Sequence, residues 1–224
     1  MEQEQEKESN NKYIFPKWSN SIPKLIMLLV LGGLSSIVFV FWFWFSPKNL
    51  EVGYEPEQPI PYSHKLHVGE LGIDCRYCHT NVEDVSHANI PSTDTCMNCH
   101  SVIKTDSEHI KKLKKSYDTG EPIPWVNVHM LPEYSYFNHS RHVNSGVGCV
   151  SCHGRIDQME VVRQVESLSM SWCLECHREP AKNIRPLDKI TDMEWVAEDP
   201  IALGENLIKE YHVNPKENCS TCHR

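Results

Sequence analysis

Apolar and polar positions are distributed unevenly along the 224-residue chain. From Leu25 to Phe45 the sequence LIMLLVLGGLSSIVFVFWFWF carries no charged side chain. Its 21 residues, at about 1.5 Å each, match the roughly 30 Å hydrocarbon layer of a bilayer. No other segment does so. Beyond it the hydrophobic periodicity is weak, and the modest amphipathic pattern from Ile103 to Leu113 is the best helix candidate. The chain therefore predicts one membrane-spanning helix followed by a mostly α and irregular domain of short helices and long loops, with little sheet.

The flanks of the apolar run refine this division. MEQEQEKESN is polar and charged without periodicity. Lys12, Lys17 and Lys24 precede the span, whereas only Lys48 follows closely, which leaves the N-terminus cytoplasmic. The run ends Trp42-Phe43-Trp44-Phe45, aromatics suited to the outer interface, and it exceeds the about 7–15 apolar residues of a cleavable signal peptide. Residues from Pro47 to Pro61 are rich in proline and glutamate, as in an extended linker. The expected organisation is a cytoplasmic tail at 1–24, an anchor at 25–45, a linker at 46–61 and a folded domain at 62–224.

Cysteine spacing supplies the chemistry. All ten cysteines fall into five C-x-x-C-H motifs: Cys75, Cys78 and His79; Cys96, Cys99 and His100; Cys149, Cys152 and His153; Cys173, Cys176 and His177; Cys219, Cys222 and His223. Two thiols three positions apart on one helical turn add to the two vinyl groups of a porphyrin, and the next residue turns its imidazole onto the iron. A zinc knuckle, a redox dithiol or a disulfide framework needs no histidine after the second cysteine. With 13 histidines in the chain, five such neighbours arise by chance at a frequency of about 10⁻⁶. The motifs predict five covalently attached c-type haems, each held by about 36 residues, so the porphyrins themselves must form the core.

Haem is attached to thiols outside the bacterial cytoplasmic membrane, which places the domain on the periplasmic side of a single-pass protein. No cysteine precedes Cys75, which disfavours a lipoprotein. The formal charge of −8, deepened by about −1 for each ferric haem, disfavours nucleic acid and favours a basic cytochrome as partner. The lysines of the 104–115 stretch are expected to form a solvated face.

A self-comparison places further histidines. Tyr62-Ser63-His64-Lys65-Leu66-His67-Val68 before Cys75 is repeated as Phe137-Asn138-His139-Ser140-Arg141-His142-Val143 before Cys149. Each copy leads to a second motif, at Cys96 and Cys173, so the domain reads as two two-haem modules with a fifth site appended. His212-Val213-Asn214 before Cys219 echoes half of the unit, with Lys209 where the first histidine would stand. Low-spin electron-transfer haems need a sixth ligand, usually His or Met. Eight histidines lie outside the motifs: His64, His67, His87, His109, His129, His139, His142 and His212. His129 lies in the unusually apolar segment IPWVNVHMLP and is the fifth choice of distal ligand, followed by His212 and His87. Met159 and Met170 are alternatives, and His109 is expected in solvent.

The H-x-x-H-x(6–7)-C-x-x-C-H unit resembles that of the small multihaem cytochromes of class III. The resemblance implies that His64 and His139 cap the haems of the motifs that follow them, and that His67 and His142 reach neighbouring haems and link the modules. With the anchor, the five motifs and the stretch from Ile123 to Pro180 in view, the chain is similar to the pentahaem subunit of alternative complex III. That likeness implies a relay of electrons, within a complex holding iron–sulfur and polytopic membrane subunits, from a quinol-oxidising centre to a monohaem cytochrome c or terminal oxidase. A self-contained, N-terminally anchored quinol dehydrogenase is the alternative. A multihaem reductase is disfavoured because every motif ends in histidine. The chain has no iron–sulfur C-x-x-C-x-x-C run, so no quinol-oxidising machine of that kind is contained in it alone.

Overall fold

A computed structural model describes residues 15–45 and 51–223. Most of the tail expected at 1–24 and the first five residues of the 46–61 segment lie outside the described residues. Two compact units divide between Asn49 and Leu50.

The first unit contains a 3-10 turn at Lys17–Ser21 that runs into helix α1, Ile22–Trp44. The helix starts three residues before the predicted span, because Pro23 fits the first turn, where its missing N–H costs no hydrogen bond. Its one polar pair needs no partner outside the helix: Ser35 returns its hydroxyl to the Leu31 carbonyl at 2.7 Å. Phe39 stacks on Phe43, and Phe41 on Phe45, at 5.8 and 5.2 Å. The helix is long and apolar enough to cross a membrane, and none of its side chains is covered by protein.

The second unit is mostly irregular, with short helices. Among its described residues no strand forms, and a single antiparallel bridge joins Val147 to Ile184. Helices α2 (Cys75–Cys78), α3 (Thr93–His100), α6 (Val150–His153), α7 (Met170–Arg178) and α9 (Cys219–Cys222) each present one cysteine motif. Helix α4, Glu108–Thr119, begins five residues after the predicted Ile103, and α5, His139–Val143, carries the second copy of the histidine unit. Helix α8, Pro200–Glu210, packs against the 3-10 turn Pro180–Asn183. The shift of α4 has a local cause. Ser107 takes the extended cap conformation, while Lys104 adopts a left-handed backbone that breaks the periodic stretch.

The second motif of each module shares a start signal. Ser92 and Ser169 stand at the N-cap positions of α3 and α7, each four residues before the first cysteine of its motif. Only Ser169 makes a side-chain cap, its Oγ accepting from the Trp172 amide, which fixes where the turn leading to Cys173 begins.

Little of the chain's own apolar surface forms a core. Among the described residues the buried apolar side chains are Ile60, Leu113, Val143, Met159, Ile184, Ile190, Met193 and Leu207. They pin long loops together. Residues 51–61 pack with the domain rather than standing apart as a linker. Gly53 N donates to Gln164 O at 2.7 Å and Gln164 N to Tyr54 O at 3.1 Å, and the Gln58 amide makes paired bonds with the main chain of Val126. Ile60 is buried beside them.

Asp74 ties the first motif to this framework. Its carboxylate caps α2 through the Arg76 amide at 2.8 Å, pairs with the Arg76 guanidinium, and accepts from Thr191 Oγ1 at 2.9 Å. Hydrogen bonds from Arg76 hold the Asp74 carboxyl down at about 2. Asp74→Ala is expected to destabilise the folded domain by about 1 kcal/mol at pH 7, the usual cost of a lost cap. A carboxyl depressed on folding stabilises above its unfolded value near 3.8 and loses that contribution as pH falls through about 2. Denaturation midpoints of both forms should therefore differ at pH 7 and converge near pH 2; equal midpoints at pH 7 would remove this role.

Candidate functional site

The two histidine units fold into nearly the same local structure. In the first, Tyr62 lies parallel to His67 at 4.4 Å and edge-on to His64 at 4.8 Å. In the second, Phe137 lies parallel to His142 at 4.4 Å and edge-on to His139 at 4.7 Å. The aromatic residue thus wedges the two imidazoles apart at a fixed angle. Its presence at the same place in both copies is the sequence signal for this role, and hydrophobic periodicity does not reveal it.

The copies differ by one residue between the second histidine and the motif, and the backbone absorbs the difference. Ile73 N donates to His67 O at 3.1 Å, and Val147 N donates to His142 O at 3.1 Å. Each donor lies two residues before the first cysteine, so both loops close on equivalent atoms. The longer first loop does so through a π-helical turn at Lys65–Glu70, with Leu71 N bonded to Leu66 O at 3.0 Å, whereas the second uses a short α-helix.

Seven imidazoles are fixed in one tautomer by the main chain. Nδ1–H donates to a carbonyl in His67 (Ser63, 2.8 Å), His79 (Asn89, 2.8 Å), His100 (Ile103, 3.1 Å) and His139 (Ser86, 3.1 Å). The same bond forms in His142 (Asn138, 2.8 Å), His177 (Lys216, 2.8 Å) and His223 (Tyr134, 3.0 Å). A carbonyl accepts only, so the proton resides on Nδ1 and the Nε2 lone pair is left for a metal. Burial reinforces the neutral form. His64 is lowered to about 4 by burial and then by His79, and His153 to about 3 by burial and then by His129. A neutral imidazole is the form that ligates.

Ring spacings test the fit to an iron between opposed histidines. Two metal–imidazole bonds of about 2 Å, with about 1 Å from each nitrogen to its ring centre, require about 6 Å between centres. His67 lies 6.2 Å from His100, His142 lies 6.1 Å from His177, and His139 lies 6.5 Å from His153 with the rings nearly parallel. All three pairs fit. His79 lies near enough to His64 to help lower its pKa after burial. No group of three or more His, Cys, Asp or Glu side chains converges on one metal among the described residues. The donor sets therefore suit a porphyrin iron, whose equatorial ligands are not protein, better than a zinc ion.

Other sequence candidates are placed differently. His129 lies edge-on to His153 at 4.5 Å, too close for a metal between the rings, and its buried Nε2 has no hydrogen-bond partner. His87 is exposed, with Ser86 Oγ at 2.9 Å from its Nδ1, and His212 is exposed in a left-handed backbone conformation. The structure does not pair either with a motif histidine. His109 is exposed on α4. Met159 is buried, whereas Met170 is exposed.

The cysteine motifs adjoin one another in an order that differs from the chain. Burial and then Cys78 raise the Cys96 thiol. The Cys75 thiol is raised by its hydrogen bond to Cys149. Burial pushes Cys152 up to about 12, with Cys176 and Cys173 contributing, and Cys173 is raised by burial and then by Cys222. Numbered along the sequence, the motifs form the row second, first, third, fourth, fifth. The last is tied down by the loop before α5: Tyr136 N donates to Cys222 O at 2.8 Å, and Tyr134 O receives His223.

The chain also resembles known proteins. Residues 135–224 match the family described as cytochrome c7 and related cytochrome c. The chain is 36% identical over 118 residues to the multihaem cytochrome c subunit of a menaquinone reductase from Nitratidesulfovibrio vulgaris, covering 52% of this chain and 54% of that relative. It is 24% identical over 154 residues to the cytochrome subunit of an acrylate reductase from Shewanella woodyi, covering 69% of this chain and 89% of the relative. The chain thus spans about half the length of the first of these relatives. The chain is similar to such reductase subunits and has a mostly helical and irregular multihaem cytochrome c domain and one N-terminal apolar helix.

The pairing of His67 with His100 yields a sharp expectation. His67→Ala should leave haem attachment intact and convert one haem from low-spin six-coordinate to a high-spin or carbon monoxide-binding form. His142→Ala should do the same to a different haem, and the double variant should show two. A His67→Ala protein whose haems all stay low-spin in electron paramagnetic resonance would exclude this ligand.

Proposed function

We propose that the chain is the electron-transfer subunit of a membrane-bound quinone-linked oxidoreductase, carrying five covalently attached haems through Cys75/Cys78, Cys96/Cys99, Cys149/Cys152, Cys173/Cys176 and Cys219/Cys222. The observation that carries this reading is the continuous row of motifs, joined by the contact between Cys75 and Cys149. Haem iron supplies one-electron chemistry when bound. The protein would contribute attachment, neutral imidazoles, seven of them aimed by Nδ1 bonds while His64 and His153 are held by burial, and axial ligands that exclude exogenous ones.

On this reading the proximal ligands are His79, His100, His153, His177 and His223. His64, His67, His139 and His142 serve as distal ligands at the first, second, third and fourth motifs. No distal ligand is assigned to the fifth motif: His129 has an orphaned Nε2 but packs edge-on to His153 of the third motif at 4.5 Å. Helix α1 anchors the chain with its haem domain on the periplasmic side, as the lysine distribution favours.

The finer reading is the relay role of the pentahaem subunit of alternative complex III, from a quinol-oxidising centre formed by iron–sulfur and polytopic subunits to a monohaem cytochrome c or terminal oxidase. A relative named as a menaquinone reductase subunit favours a second reading, in which electrons flow toward the quinone pool. Both make this chain a conductor rather than the site of quinone chemistry, which needs a proton acceptor beside a quinone pocket.

Two measurements test the proposal. Denatured protein should retain five haems by pyridine haemochrome, because thioether bonds survive unfolding; fewer than four would end the pentahaem reading. In stopped-flow experiments the isolated subunit should accept electrons from reduced partner subunits but not from a menaquinol analogue. Reduction by the analogue at the rate of the intact membrane complex would instead identify a self-contained quinol dehydrogenase.

A further inference from the structure

An arginine packs onto the peptide that precedes the first cysteine of the third motif. The segment from Ile184 to Trp195 wraps this motif. Ile184 bridges to Val147, Arg185 N donates to Gly146 O at 2.8 Å, and Cys149 N donates to Ile190 O at 3.0 Å. These bonds set the Arg185 side chain across Gly148. A methyl group built at Gly148 would meet the guanidinium carbon at 2.6 Å, so glycine at this position is what lets the cation lie against the backbone beside Cys149.

The guanidinium is held by neutral groups. Its Nη1 donates to Asp192 O at 2.9 Å and to Lys189 O at 3.3 Å, and its central carbon lies 5.2 Å from the centre of the Trp195 ring. The nearest carboxylate, on Asp192, is committed elsewhere: Oδ1 receives the amides of Glu194 and Trp195, and Oδ2 lies 3.9 Å from Lys189 Nζ. Among the described residues Arg185 forms no ion pair, in contrast to Arg76, Arg155 and Arg178. Burial lowers its pKa, but a guanidinium stays charged at any pH the protein meets.

A fixed, partly desolvated cation that no carboxylate neutralises acts over a longer range than a paired one. Reduction of a ferric haem adds one electron and no compensating charge at the iron, so a neighbouring cation stabilises the reduced state.

We propose that Arg185 sets the potential of the haem attached at Cys149 and Cys152, holding it above the value that the same bis-histidine site would have without the guanidinium. Arg185 is a positioning residue in this role, acting through charge and touching neither axial histidine. The third motif lies at the middle of the row, so the cation favours electron residence there, at the junction between the two modules. The inference rests on haem attachment at the third motif and is independent of the partner complex.

The test uses full-chain holoprotein in detergent, titrated with redox mediators and followed by haem absorption. In Arg185→Gln the haem count should be unchanged, and one of the five one-electron components should move to lower potential. A roughly tenfold loss in that reduction equilibrium corresponds to about 59 mV. The component that moves should be the one also displaced by His139→Met. Arg185→Lys should keep most of the potential, and Trp195→Leu, which removes only the aromatic platform, should shift the same component less. If Arg185→Gln fails to assemble, Trp195→Leu decides. Unchanged midpoints with all haems attached would overturn the role of Arg185, as would an equal shift of all components. Mass spectrometry of the peptide containing residues 149–153 separates the two premises, because absence of haem there would refute attachment at the third motif itself.

Discussion

The hydrogen bond from an imidazole Nδ1–H to a main-chain carbonyl is the constraint on which this domain depends. It fixes the tautomer, and in three of the seven cases it also fixes where the chain must run, because the acceptor is remote. His177 is held by Lys216, in the segment before the fifth motif, and His223 by Tyr134, in the loop before the second histidine unit. His139 is held by Ser86, in the loop between the first two motifs. Each of these three recruits a distant loop. In a domain whose described residues bury few apolar side chains, these tethers supply the long-range order that a larger hydrophobic core gives elsewhere.

His67 belongs by sequence to the first motif and stands opposite His100 of the second, and His142 repeats this with His177. Ligation as proposed would therefore close each module internally rather than link the two modules. The aromatic wedge explains how one short segment serves two sites, since Tyr62 and Phe137 each separate a histidine for the adjacent motif from one for its neighbour. Burial raises the Tyr62 phenol far above its usual range, so the wedge stays uncharged between cysteines of both motifs.

The attachment motifs were legible in the sequence because thioether chemistry demands a rigid local spacing. The histidine units were legible because they are repeated. The fold class followed from the weak periodicity outside the apolar span. The row of motifs was not legible: a contact such as that of Cys75 with Cys149 depends on loops whose paths are set by single hydrogen bonds, which carry no periodic signal. The same holds for His129. Its apolar surroundings marked it as more than a loop residue, yet nothing in the sequence placed it edge-on to His153. His87 and His212 show the converse. Both were candidates among the spare histidines, His212 through its half-unit before Cys219, and the backbone leaves both exposed. At residues 51–61 composition suggested a spacer, but the bonds of Gly53, Tyr54 and Gln58 to distant segments override that preference. Proline-rich composition limits the local conformation without deciding whether a segment finds a surface to pair with.

The one-residue difference between the two histidine units shows which features of the repeat are under constraint. The additional residue in the first copy is taken up in the π-helical turn at Lys65–Glu70. The atoms at either end of the loop, the second histidine's carbonyl and the amide two residues before the first cysteine, are bonded identically in both copies. The His–His spacing across each module is preserved to 0.1 Å, at 6.2 and 6.1 Å. A π turn weakens the regular helical bonding pattern, and it is retained here where it keeps an imidazole in register. The loop between ligand and motif therefore tolerates variation in length, whereas the direction of the ligand and the closure of the loop do not. A linear alignment blurs the two copies at that one-residue step, and the geometry shows them to be the same device.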